Sequence, residues 1–112
     1  MGFDQYHEPA NELSQETRTF ARMIASLTEE CEAINWYQQR ISIEQDREAI
    51  AIMENAQDEE FLHFAMDLEF LSRRVPRWRV ALQQVLFKAG DIVQNKEKGE
   101  DPVEDAPESR QG

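Results

Sequence analysis

Asp58-Glu59-Glu60-Phe61-Leu62-His63 is the stretch that decides the fold. Glu60 and His63 stand three residues apart, about one helical turn, so on a helix both project from one face. They also fall within an apolar seam. Ala49, Met53, Ala56, Glu60, His63, Phe64 and Leu71 recur at helical spacing. A carboxylate in such a seam costs on the order of several kcal/mol unless something compensates it. A divalent cation does so directly. An arginine partner for Glu60, with His63 as an ordinary core histidine, would do so without metal. Four-helix carboxylate bundles hold two metal ions with a Glu-x-x-His pair from each of two helices, plus a glutamate from each of the other two. This chain carries the pair once.

Working outward, the periodicity predicts a long helix from about Asp46 to Arg74, with Asp46 as its cap. Pro76 stops it, because proline lacks an amide donor and disfavours helix in the residue before it. Upstream, a first long helix is expected from about Asn11 to about Ile41, started by Asn11 or by Glu8-Pro9. Ser42–Gln45 then forms the turn. A shorter third helix is expected over Arg77–Ala89, ended by Gly90. The division is a lead-in segment at 1–10, a helical domain at 11–94 and a disordered acidic tail at 95–112.

The first helix has its own seam of Leu13, Thr17, Phe20, Ile24, Leu27, Cys31 and Ile34, spaced by fours and threes. Glu30 sits roughly 60° from Leu27, at the seam's edge, and Tyr37 lies almost above Glu30. Glu30 thereby joins Glu60 and His63 as a candidate ligand. Tyr37 and Cys31 read as packing residues, Cys31 as a small core hydrophobe. Asp67, one turn beyond His63, is either an acceptor that orients the imidazole or an exposed acid. Glu29, Glu32 and Trp36 share an outward face within about 60° of one another. On periodicity alone that face is either a solvated acidic surface or a cation-attracting one.

Composition sets the class. The chain has 112 residues, 40 % hydrophobic and 31 % charged, with few glycines and prolines, as suits one small helical domain. The 23 acidic against 12 basic side chains give a net charge of −11, which argues against nucleic acid and attracts cations. No apolar run is long enough to span a membrane, and no signal-peptide pattern opens the sequence. A single cysteine, Cys31, permits no internal disulfide and fits a reducing cytoplasm.

One chain supplies Glu30, Glu60 and His63, half of a two-metal site. Two helices likewise make half of a four-helix bundle and leave a broad apolar face uncovered. Two copies about a twofold axis meet both needs. The expected fold is therefore all-α: two long antiparallel helices plus a short C-terminal helix, dimerising into a four-helix bundle with the metals at the interface.

Glu29-Glu30-Cys31-Glu32-Ala33-Ile34-Asn35-Trp36-Tyr37-Gln38-Gln39-Arg40, followed by Asp58-Glu59-Glu60-x-x-His63, resembles the encapsulated ferritins. His7-Glu8-Pro9 and Leu86-Phe87-x-x-Gly90 are similar too, so the resemblance covers roughly residues 7–93. The resemblance implies a half-ferritin assembled as a decameric ring of five dimers, with a di-iron ferroxidase site at a dimer interface. It implies Glu30, Glu60 and His63 as iron ligands and Tyr37 beside them. It also implies Glu29 and Glu32 as a cation-collecting site on the approach route, able to take Ca²⁺ or Zn²⁺, with Trp36 next to it. An encapsulin shell protein is the implied partner, and the lumen of its nanocompartment the implied location. Members that enter such shells carry a short apolar C-terminal targeting peptide, and Asp101–Gly112 contains none. The implied chemistry is oxidation of Fe(II) by a dioxygen-derived oxidant at paired irons held by hard carboxylates. Two other readings fit the residues: a rubrerythrin-like or manganese-using di-metal oxidoreductase, and a metal-free helical interaction module. Dioxygen carriage of the haemerythrin type needs more histidines than His7 and His63.

Overall fold

The computed structural model describes residues 5–100. They form a short 3₁₀ turn, Ala10–Glu12, and four helices: α1 (Gln15–Ile43), α2 (Arg47–Arg74), α3 (Pro76–Val85) and α4 (Ile92–Glu100). The chain is all-helical, as the sequence pattern predicts. It divides into two compact units, Met1–Leu71 and Ser72–Gly112.

In the first unit, α1 begins at Gln15, not at Asn11. The Ser14 hydroxyl accepts a hydrogen bond from the Thr17 amide at 3.0 Å, and Leu13 is extended. A side-chain cap there outcompetes the earlier start, and Asn11 is absorbed in the 3₁₀ turn. The Arg18 guanidinium donates to the Ala10 carbonyl and holds that turn against the helix. The far end of α1 runs to Ile43, past the expected Ile41, so the turn into α2 is only Glu44–Asp46. The Glu44 carboxylate accepts from the Gln45 and Asp46 amides, and Asp46 caps α2 by accepting from the Ala49 amide at 2.9 Å.

Positions further along α1 meet positions earlier in α2. The Gln57 side-chain amide donates to the Ile34 carbonyl at 3.0 Å and to Gln38 Oε1 at 3.1 Å, while Glu30 faces Glu60, His63 and Asp67. The two long helices are therefore antiparallel. Gln57 is one of few buried residues; among the described residues the one buried hydrophobic is Leu71, 1 % exposed. Ile52, Leu62 and Met66 on α2 lie open at 66, 61 and 63 %. Cys31 is exposed, contrary to its expected place in a core, because the α1 seam has too little covering it within one chain.

In the second unit, Val75 is extended (φ −122°, ψ 97°) and Pro76 opens α3, as the clash of a proline ring with the preceding residue dictates. The helix stops at Val85, short of the expected Ala89. Leu86 turns extended, and Phe87 takes a left-handed φ of 60° before Gly90 at φ 100°. The expected disorder from Asn95 is also corrected through Glu100. The Asp91 carboxylate caps α4 by accepting from the Gln94 amide at 2.9 Å, and the Asn95 side chain donates to the Ala89 carbonyl at 3.0 Å. Gln84 reaches across to the Gly99 carbonyl at 3.3 Å, an approach close enough that a β-carbon at Gly99 would meet Gln84 Cγ at 2.6 Å. Polar caps and one close packing contact thus order a segment whose composition lacks apolar residues. The rest of the expected tail, 101–112, lies outside the described residues.

Candidate metal centre

The antiparallel register brings three of the expected donors together. Glu30 from α1, and Glu60 and His63 from α2, each offer a ligand atom, and these atoms lie within 4.8 Å of one another. All three side chains are half-buried. His63 Nδ1 is 3.7 Å from Glu60 Oε1, and Nε2 is 3.9 Å from Glu59 Oε1. Both distances are too long for hydrogen bonds. The donors converge without satisfying one another. An ion with bonds of about 2.1 Å holds its donors roughly 3 to 4.2 Å apart, so modest side-chain closure would suffice.

Electrostatics supports the same conclusion. Glu30 Oε1 and Asp67 Oδ2 are sealed from solvent, with no hydrogen-bond partner. The Glu30 carboxyl is pushed up from 4.5 to about 7, first by burial, then by the Asp67 carboxyl in hydrogen-bond range, with the charges of Asp67, Glu60 and Glu29 contributing the rest. As carboxylates, Glu30 and Asp67 are both acceptors, and neither can satisfy the other without a proton or a cation between them. Two hard carboxylates and an imidazole suit a divalent first-row metal. The residues present thus fit iron on the structure's own terms.

The remaining expected residues fall outside this group. Tyr37 is half-buried, with the Arg40 guanidinium 5.3 Å from its ring centre. Glu29 and Glu32 are exposed, and so is Trp36, which with Gln39 and Arg40 lines a surface depression. Sequence reasoning missed two residues. Gln57 falls on neither apolar seam, yet it is the buried polar tie that sets the register of α1 on α2. Asp67 read as a partner for His63 or as an exposed acid, yet it is half-buried and engages Glu30.

Residues 5–89 match the EncFtn-like family. The chain belongs to this family of encapsulated ferritins. It is 44 % identical over 95 residues to a "Ferritin-like protein" of Thermotoga maritima, covering 85 % of this chain and 83 % of that relative. It is 43 % identical over 86 residues to the "Encapsulated ferritin-like protein" of Rhodospirillum rubrum, covering 77 % of this chain. That match spans only 61 % of the Rhodospirillum protein's length. Among solved structures, protein ne0167 of Nitrosomonas europaea superposes with a TM-score of 0.77 at 44 % identity, over 80 % of this chain and 98 % of that one. A ferritin-like, iron-related role follows from the family. Among the described residues, no helix is long and apolar enough to cross a membrane.

Proposed function

We propose that this encapsulated ferritin is a ferroxidase whose metal centre is completed by a second copy of the chain. The observation that carries the reading is the convergence of Glu30, Glu60 and His63 within 4.8 Å. Its position on the molecule supports sharing between copies. On the α2 helical wheel, Ile52, Leu62 and Met66 fall within roughly 80°, and His63 lies only about 20° beyond Ile52. Asp67 and Glu60 follow, and Gln57, buried against α1, lies at roughly 140°. The donors thus occupy the border between the face packed on α1 and an apolar stripe left open by a single chain. A twofold partner covering that stripe would bring a second donor set to the first.

In this reading Fe(II) is the substrate. Two Fe(II) ions give up two electrons, and one dioxygen with two protons accepts them as hydrogen peroxide. The carboxylates of Glu30 and Glu60 favour the ferric product, and the neutral imidazole of His63 adds a nitrogen donor without adding charge. The resemblance gives Tyr37 a place beside the completed centre. Glu29 and Glu32, beside Trp36, collect cations on the approach. A ring of dimers has no closed cavity of its own, so storage of the oxidised iron falls to a surrounding encapsulin shell in the cytoplasm. The likeness to the Rhodospirillum encapsulated ferritin-like protein supports that partner.

Native mass spectrometry with and without anaerobic Fe(II), joined to oxidation rates, tests the proposal. Even-numbered oligomers carrying two irons per pair of chains are expected. A stable monomer that binds and oxidises iron at full strength would overturn it.

A further inference from the structure

Asp67 has no role in the reading above, yet its surroundings are unusual. It stands one turn beyond His63 on α2. Its Oδ2 is closed off from solvent, and no donor reaches it. Its carboxyl lies in hydrogen-bond range of Glu30 on the facing helix, and Glu30 Oε1 is likewise buried without a partner. Asp67 nevertheless falls outside the trio of donors gathered within 4.8 Å. Glu30 is therefore common to two groupings, one with Glu60 and His63 and one with Asp67. Two buried acceptors in contact repel and lose their hydration. The Gln57 amide, the buried donor nearest in sequence on the inner face of α2, is already committed to Ile34 and Gln38. A shared proton relieves the contact when Glu30 is neutral; with both groups ionised, a cation is what satisfies the two carboxylates.

We propose that Asp67 supplies a further carboxylate oxygen to the metal centre, holding a cation jointly with Glu30. Each copy of the chain then presents three carboxylates and one imidazole, and Glu30 bridges between ion positions. The extra anionic oxygen raises affinity for divalent ions and biases the centre toward hard ones. This rests on the reading of Glu30, Glu60 and His63 as ligands.

Mn(II) binding to the full chain tests it without turnover. Affinity and stoichiometry come from calorimetry, and the ligand environment from the electron paramagnetic resonance spectrum of the bound ion. The variants are Asp67→Asn, which keeps shape and removes charge, Asp67→Glu, and Glu60→Ala. Asp67→Asn should weaken Mn(II) binding at least about tenfold and alter the spectrum of the bound ion, and Asp67→Glu should restore most of the affinity. Wild-type affinity and spectrum in Asp67→Asn overturn the proposal. So does an Asp67→Asn chain that no longer folds without metal, because relief of repulsion calls for equal or greater stability. Wild-type Mn(II) binding in Glu60→Ala would instead overturn the ligand reading on which the proposal rests. Loss in Glu60→Ala with none in Asp67→Asn rejects the role of Asp67 alone.

Discussion

The side-chain amide of Gln57 donates to the Ile34 carbonyl at 3.0 Å, one turn before Glu60, and so fixes the height at which α2 meets α1. A second bond from the same nitrogen to Gln38 Oε1, at 3.1 Å, ties the amide to a side chain one turn along α1. With so little apolar burial inside a single chain, this polar tie carries an unusual share of the register. The facing of Glu30 with Glu60 and His63 depends on it.

Gln57→Leu should therefore destabilise the metal-free protein by about 1–3 kcal/mol, the cost of losing a buried hydrogen-bonding group. Gln57→Glu should be at least as damaging, because its carboxylate would put acceptors against the Ile34 and Gln38 oxygens. Urea unfolding in the presence of a chelator measures both. A stability unchanged in both variants would mean that apolar contacts alone set the register.

The Glu30 carboxyl gives a pH dependence with a definite sign. Its folded value is raised from 4.5 to about 7, first by burial and then by Asp67. The folded chain therefore binds this proton more tightly than the unfolded chain. The associated stability is fully present below about 4.5 and is lost as pH rises from there to about 7. Glu30→Gln should remove that loss, making the metal-free variant more stable than wild type by about 1–3 kcal/mol at pH 8, with little difference at pH 4. Unfolding curves of both proteins at the two pH values give the comparison. A difference that is the same at both would show that Glu30 does not titrate in this range.

Much of this architecture is legible in the sequence because it is local. Asp46 before an apolar repeat and Pro76 after it mark α2 through capping and ring sterics alone. The wheel positions of Glu30, Glu60 and His63 follow from periodicity, and the structure brings the three together. What was not legible depends on partners distant in sequence or on competing local caps. Ser14 and Asn11 are both good caps, and nothing in the pattern ranks them. The order of α4 rests on Asp91, Asn95 and the approach of Gly99 to Gln84, none of which leaves an apolar signature. Asp67 could be assigned to Glu30 only once Gln57 had set the helix heights.

The ligand set makes the sharpest prediction for iron. Glu60→Ala or His63→Ala should abolish stoichiometric Fe(II) binding at the paired centre and lower the initial oxidation rate at least about a hundredfold, because loss of a ligand's hydrogen-bonded partner alone costs about 10–100-fold. Glu30→Ala should weaken both. Stopped-flow absorbance under limiting Fe(II) follows the rate. An undiminished initial rate in Glu60→Ala would place the chemistry elsewhere.

The open stripe on α2 separates assembly from folding. Leu62 and Met66 are 61 and 63 % exposed in the single chain, so Leu62→Glu with Met66→Glu should change monomer stability by no more than about 0.5 kcal/mol per site. If a second copy covers the stripe, the double variant should run as a monomer in light scattering. It should also lose iron oxidation, although every ligand of its own chain is retained. Undisturbed oligomers would show that copies meet through another face.

The outward carboxylates should act on delivery and not on the centre itself. Glu29 and Glu32 are exposed, near one end of the sequence run that also supplies Glu30, and Trp36 stands open at 51 % on the same face. Exposed carboxylates concentrate divalent ions through local charge, an effect that falls with ionic strength because screening shortens to about 8 Å at physiological salt. Glu29→Ala with Glu32→Ala should therefore leave Mn(II) stoichiometry at Glu30, Glu60 and His63 unchanged. The oxidation rate, its salt dependence and its inhibition by Ca²⁺ or Zn²⁺ should all shift. Loss of Glu29 also removes one of the charges that raise the Glu30 carboxyl, so a small change in affinity at the centre is compatible with an approach role. Crystals soaked in a divalent metal provide the direct view. Density at Glu29 and Glu32 of the wild type, absent in the double variant while the inner metals persist, is the expected result. Disappearance of the inner metals would make the outward pair ligands, and a wild type with no ion there would make it a solvated surface.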